Sequence, residues 1–532
     1  MEKRTLYALL AAILIIFFFQ YFFTPQQEPQ APPKGTQAPA KEAAPGAVQQ
    51  APGKQVAEAP PKGEAPSSPT QPKATKKYVV DTPLLTATFS DLGGAMTSVR
   101  LRQYKETVKS SEGKELFEDI KPYQYLPAVR ESGNGTAATD ATVFSSDKTN
   151  LTVKEKPESI TFTGTLTNGK KVKKTYTFYP DQYTVGLQVV VENLDPAKTY
   201  IDLALISMKE KPSYSFKGPF IYNGKSLEQI EKFEKPVQAN KNYTYAGFEE
   251  GYFAFIWIPQ EESKPALEVE AAQATLPVIR LKLDKPDLPG KLYFGPKLSS
   301  KLQELNIKAE KIVDFGWFDI VAKPMLWGMN WVNKYTHNYG IDIILLTILI
   351  KIIFYPLSLK SYKSMKEMQK LQPQIAKLRE KYKGDKEKLN KEMMGIYKQK
   401  GINPLGGCLP MVIQIPVFFA LYKVLIGAIE FRHAPFMLWI NDLASPEDLF
   451  AFTVAGFEIP IRILPLVMGV TQVLQQKMTP TTADPMQEKM MLFMPIIFTV
   501  MFWGFPSGLV LYWLVNNVIS IAQQFYINKK AA

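Results

Sequence analysis

The sequence predicts a polytopic α-helical membrane protein of six transmembrane helices, five forming the core. A large extracytoplasmic antiparallel β-sandwich domain and a cytoplasmic helical hairpin complete it. Three observations carry this expectation. Apolar runs near the length a bilayer requires, about 20 residues, occur at the N-terminus and repeatedly after residue 338. Between them lies a long region of strand-like alternation with turn signals. Basic residues gather in alternate loops, as expected when a chain threads a membrane with its positive loops inside.

The totals allow this mixture. In 532 residues, 46% hydrophobic and 12% aromatic content can supply both a water-soluble core and membrane spans. A net charge of +13 would permit a nucleic-acid partner, but the lysines are scattered and no binding motif accompanies them. No nucleic-acid sequence recognition is therefore expected. Cys408 is the single cysteine, which excludes an intramolecular disulfide and a multi-cysteine metal site, and His337 and His433 are the only histidines. Neither a metal, a cofactor nor a catalytic constellation is expected, and no P-loop pattern is present.

Residues 1–23 place Lys3 and Arg4 before an apolar stretch with no small-residue cleavage site at its end. This favours a signal anchor with a cytoplasmic N-terminus over a cleaved signal peptide. Residues 24–77 are rich in Pro, Ala and Gln and read as a linker. Alternation then runs over 78–300, as in "KKVKKTYTFYP" and "YTVGLQVVVEN", with Asn168-Gly169 marking a hairpin turn. Residues 315–335 mix Trp317, Trp327 and Trp331 with aliphatics. An amphipathic helix on the outer interface fits them, the alternative being a core helix of the preceding domain.

The remaining spans are expected at 338–360, 408–430, 459–478, 490–505 and 507–526. The fourth is short and carries Pro465, so it needs support from neighbouring helices. Between the second and third spans, 361–403 show Met365, Met368, Leu371, Ile375, Leu378 and Tyr382 at helical spacing. Leu389, Met393 and Ile396 resume it after "KGD". Two helices folded as a hairpin fit this, with a kink at Pro373; a solvated basic loop is the plainer alternative. Residues 360–400 hold thirteen Lys or Arg against five acids, and 430–458 hold one against five. The first segment is therefore cytoplasmic and the loop 431–458 external. The short loop 479–489 and the tail 527–532 return to the cytoplasm.

Within "LLTILIKIIFYPL", 345–357, stands Lys351. It lies nine residues before Lys360, about 14 Å along a helix, so snorkelling to the cytoplasm is incomplete. An unpaired ammonium at mid-membrane costs about 2.5 to 17 kcal/mol unless it meets water or a partner. Thr347 lies one turn away, and other spans supply Gln414, Thr471, Gln472, Gln475, Tyr512, Trp513, Asn516 and Asn517. Each alone could serve an ordinary interhelical hydrogen bond. Together with a cation that has no intramembrane carboxylate beside it in sequence, they suggest a polar chamber for transient anionic groups.

Several stretches resemble a known family: "FYPLSLKSYKSMKEMQKLQP", "NPLGGCLPMVIQIPVFFALY", "PFMLWINDL", "KMTPTTADPMQEKMMLFMPIIFTVMF" and "FPSGLVLYWLVNN". They are similar to the YidC-type membrane protein insertases of bacteria, related to the Oxa and Alb insertases of organelles. The resemblance implies a bacterial inner-membrane location, a periplasmic β domain and a positively charged groove open to cytoplasm and lipid. It further implies that Lys351 takes the place of a family arginine and attracts acidic client tails. The apolar client segment would slide along Ile415, Phe418, Met501 and Phe502, residues that could equally be ordinary packed or lipid-facing side chains. Implied partners are nascent membrane proteins, the Sec translocon and membrane lipids. Ribosome or signal-recognition components would meet the cytoplasmic hairpin, since the tail after Phe525 is short. An anion or small-solute transporter, and an anchored chaperone whose β domain holds the function, are the alternatives.

Overall fold

The computed structural model describes residues 76–530 apart from 117–126, 133–137, 206–215, 233–234, 274–275, 383, 403–408, 448, 455–456 and 479–484. The expected anchor, nearly all of the linker, and Cys408 lie outside the described residues. Pro72–Ala532 forms one compact unit.

Strands between Lys77 and Pro296 form sheets of nine, six and five strands. Alternation explains the packing. In Lys171–Phe178, Val172, Lys174, Tyr176 and Phe178 turn inward while Lys171 and Lys173 face solvent. The five-stranded sheet lies against this face, with the Phe89 ring 4.7 Å from Tyr176 and 5.3 Å from Phe162. Burying each such ring contributes about 1.5–3 kcal/mol. The Asn168-Gly169 turn joins Glu158–Thr165 to Lys171–Phe178, Gly169 taking a φ of 86° that favours glycine. The expectation of a wholly antiparallel sandwich needs one correction: Val79–Asp81 pairs in parallel with Asn150–Thr152.

Lys174 occupies an inward position that alternation reserves for apolar groups, and it is fully buried. Its Nζ donates to Gly93 O at 2.7 Å, Pro127 O at 2.6 Å and Asp140 Oδ2 at 2.5 Å. Three acceptors meet the three ammonium donors, which is the condition for keeping a charge inside a core. Burial pulls the Lys174 pKa down, and the Asp140 carboxylate opposes that pull. The ammonium thereby fastens the loops at Gly93, Pro127 and Asp140 onto one strand.

The helices follow: α1 (Ser299–Gln303), α2 (Asp319–Thr336), α3 (Tyr339–Ile353), α4 (Tyr355–Lys370), α5 (Gln372–Lys381), α6 (Lys386–Gln399), α7 (Leu409–Gly427), α8 (Ile463–Met478), α9 (Pro485–Phe502) and α10 (Ser507–Lys530). In α2, Ala322, Met325, Leu326 and Met329 are buried at three- and four-residue spacing, while Ile320, Trp327, Trp331 and Tyr335 are exposed. The buried stripe packs on α3 and α7.

Several boundaries differ from the sequence expectation, each for a local reason. The continuous span over 338–360 is instead two helices, α3 and α4, meeting at Phe354 with a 62° bend. Pro356 lacks the amide that would bond to Ile352 and crowds that carbonyl, so the helix breaks there. Pro373 likewise ends a helix rather than kinking it: it sits in the first turn of α5. The segment after the bend is thus three helices, α4, α5 and α6, in place of two. Pro465 falls in the first turn of α8, where its missing amide has no intrahelical partner to lose, and α8 packs against α9 and α10. Residues 450–461, expected as loop and span start, form a hairpin of Phe450–Val454 with Phe457–Ile461.

Among the described residues no single helix is long and apolar enough to cross a membrane; α3 and α4 pass that test together. The reason is visible in α10, 24 residues long, whose apolar character is diluted by Asn516, Asn517, Ser520, Gln523 and Gln524.

One contact ties the β domain to the helices. Arg432, after α7, donates through Nη2 to Lys105 O at 2.7 Å and Glu106 O at 2.9 Å. Its guanidinium lies 5.3 Å from the centre of the Phe253 ring. Charge-assisted bonds to two carbonyls with an aromatic floor hold a loop firmly. Arg432→Ala is expected to make the turn carrying Lys105, Lys109 and Lys114 several-fold more sensitive to trypsin in limited proteolysis of the full chain.

Candidate functional site

The ends of the helix bundle nearest the β domain are laced by polar side chains. Asn338 caps α3, its Oδ1 accepting from the amides of Gly340 at 2.9 Å and Ile341 at 3.2 Å, while its Nδ2 donates to Phe436 O at 2.8 Å. Asp342 is buried and accepts from Asn333 Nδ2 at 2.6 Å and Thr336 Oγ1 at 2.5 Å. Asn330 donates to Glu430 Oε1 at 3.1 Å and accepts from the Tyr339 hydroxyl at 3.0 Å. A Cβ on Gly340 would run into the Phe436 ring, so the loop before α8 sits directly on α3. Glu447 caps α8 by accepting from the amides of Ile463 at 2.9 Å and Leu464 at 2.7 Å. These carboxylates are occupied with helix ends and are not partners for Lys351.

Farther along the bundle, α3, α7, α8 and α10 bring the expected polar residues together. Lys351 Nζ donates to Ser520 Oγ on α10 at 2.7 Å. No carboxylate reaches ion-pair distance of Lys351 among the described residues. Gln414 on α7 donates through Nε2 to the Tyr512 hydroxyl at 3.1 Å and to Asn516 Oδ1. Asn517 Nδ2 donates to Thr471 Oγ1 on α8 at 3.3 Å, and that hydroxyl donates to Met468 O at 2.7 Å. Thr347, one turn before Lys351, is buried and bonds back to Ile343 O at 2.6 Å, so it is spent on its own helix. Gln472 Oε1 and Trp513 Nε1 are buried without a partner among the described residues, unlike most buried polar atoms. Gln475 is part-buried in the last turns of α8.

The apolar residues divide. Ile415 and Met501 are 44% and 47% exposed. Phe418 packs edge-on to Trp513 at 5.3 Å between ring centres. Phe502 is fully buried, 5.3 Å from Trp513, and so does not lie on an accessible face with Met501, as the expected slide required. Phe498 stacks on Trp513 at 6.0 Å and completes this aromatic knot. The cause is helical geometry, since neighbouring positions point about 100° apart.

Sequence reasoning missed Ser520 and Gln524. A signal was present: Tyr512, Asn516, Ser520 and Gln524 recur every four residues and form one face of α10. All four are buried.

Comparison with known proteins agrees with this organisation. Residues 77–328 match the family described as the YidC periplasmic domain, and residues 331–532 the family described as 60Kd inner membrane protein. The chain is 43% identical over 477 residues to the membrane protein insertase YidC of Syntrophus aciditrophicus, covering 86% of this chain and 85% of that protein. It is 39% identical over 555 residues to the one of Geobacter metallireducens, covering 100% and 99%. Among solved structures it is similar to an active YidC insertase with the first transmembrane domain resolved, at 19% identity and a TM-score of 0.40, covering 85% of this chain and 93% of that one. With a β domain before a helical bundle, and relatives of this identity along almost its whole length, the chain belongs to the YidC family of membrane protein insertases.

Proposed function

We propose that this chain inserts newly made proteins into the bacterial inner membrane, and helps them fold, through a charged polar seam between α3, α7, α8 and α10. One observation carries the reading: Lys351 projects from an apolar helix onto a neutral hydroxyl, with no carboxylate beside it among the described residues. A cation left electrically unneutralised attracts acidic groups of an entering tail, while polar neighbours lower the cost of desolvating that tail. Partitioning of the client's apolar segment into lipid drives the step. The membrane potential adds about 2.3 kcal/mol per charge per 100 mV.

In this reading six spans cross the membrane with both termini cytoplasmic, and the bent pair α3 and α4 leaves the bilayer near Phe354. The exposed indoles of α2 rest at the outer headgroups. The Sec translocon is a partner for larger clients, and α5 with α6 offers a basic surface to ribosome or signal-recognition components. Neither the matched families nor the relatives support the anion-transporter alternative.

The test is site-specific photo-crosslinking of a stalled single-span client in the full-length protein. Probes at Ile415 and Met501, on exposed positions, are expected to capture the apolar segment; a probe at Phe502 is expected to capture none. Equal capture at all three positions would remove the slide as drawn, and capture at none would remove this route for the client.

A further inference from the structure

We infer that Ser520 is a positioning residue that aims the Lys351 ammonium into the seam without neutralising it. The inference rests on the reading of Lys351 as a client-facing charge. Its geometry is specific. The Ser520 hydroxyl donates its single proton to Asn516 O, one turn back, at 2.7 Å. What remains for Lys351 Nζ, also at 2.7 Å, is the oxygen's acceptor side. Asn516 is in turn held through its side chain by Gln414. The ammonium of α3 is thereby referred to α10 and, through it, to α7.

Two physical points give this contact a role beyond packing. Lysine carries its charge on a flexible four-carbon stem, so a lone lysine does not aim itself. Lys351 and Ser520 lie about 18 Å and 20 Å along their parallel helices from the N-terminal ends, which both sit nearest the β domain, so the bond is lateral. It holds the charge at its own depth, where an unanchored lysine would snorkel towards the cytoplasmic surface. The acceptor is also neutral. An aspartate at 520 would bind the ammonium more strongly and cancel the field that an acidic client would feel.

The experiment compares two single-span clients with the same apolar segment, one with an acidic external tail and one with a neutral tail. Insertion is measured by protease protection in cells depleted of the native protein and supplied with full-length variants. The readout is the ratio of acidic-tail to neutral-tail insertion. Ser520→Ala is expected to lower that ratio about fivefold, the size of the net contribution of one ordinary hydrogen bond. Ser520→Thr, which keeps the hydroxyl, is expected to restore it, whereas Ser520→Val, of nearly the same shape as Thr, is not. In a Lys351→Ala background the Ser520 substitutions are expected to change nothing further.

A ratio unchanged by Ser520→Ala and Ser520→Val, with Lys351→Ala lowering it, overturns the positioning role and leaves the charged-seam reading standing. Equal losses for both clients that persist in the Lys351→Ala background also overturn it, because they report packing alone. If Lys351→Ala itself leaves the ratio unchanged, the reading on which the inference rests fails and the inference with it. Should Ser520→Ala not accumulate, the Thr and Val pair decides alone.

Discussion

Lys351→Glu is expected to reduce insertion of a client with an acidic external tail roughly a hundredfold or more, Lys351→Ala roughly tenfold, and Lys351→Arg little. The order follows from Coulomb's law. A carboxylate about 4 Å from the ammonium gains about 4 kcal/mol at an effective dielectric of about 20, and water in the seam reduces that figure. Alanine removes the attraction; glutamate replaces it with repulsion. Arginine keeps the charge, and its larger planar head loses the single aim onto Ser520, so a small deficit is expected. The measurement is protease protection of the tail in depleted cells, with variant levels checked by immunoblot. Full activity of Lys351→Ala on this client would show that polar lining and lipid partitioning suffice.

The second large effect lies in the β domain. Asp140→Ala leaves the fully buried Lys174 with its two carbonyl partners and no counter-charge, since Asp140 is the carboxylate in contact with it. Breaking a buried pair from one side costs about 3–5 kcal/mol. For a domain of this size that corresponds to a fall in melting temperature on the order of 10 °C, read by thermal denaturation of the full-length protein in detergent. The double variant Lys174→Met, Asp140→Leu is expected to recover most of the loss, because replacing both partners by apolar groups removes the unpaired charge. Loss in the single variant with no recovery in the double would assign the role to Asp140 alone, which also accepts from the Val129 amide at 2.9 Å. Comparing client insertion by the single variant with its melting would further show how far the membrane half depends on an intact β domain.

The sequence disclosed Lys351 because a charge in an apolar run is an exception that needs a partner. It disclosed Gln414, Thr471, Tyr512, Asn516 and Asn517 for the same reason, and the structure joins them by hydrogen bonds. Ser520 escaped notice because serine is common in helices, although its spacing from Tyr512 and Asn516 placed it on their face. The inward position of Lys174 was also legible in "KKVKKTYTF", where alternation sets it between Val172 and Tyr176. The division of the apolar residues was not. Met501 and Phe502 are both large and apolar, and composition gives no means of telling which one packs against Trp513.

By itself the sequence determined the order of parts, the strand alternation of the β domain, the family and the lone cation, because each is written in local periodicity or in a motif. Tertiary structure decided what those residues face. Asp342, the acid nearest to Lys351 in sequence, is taken by Asn333 and Thr336 at the end of α3 near the β domain. Lys351 is held by a serine 169 positions away. Arg432 reaches a turn 326 positions earlier. Such pairings depend on how helices and sheets pack across the chain, and a local pattern carries no information about its distant partner.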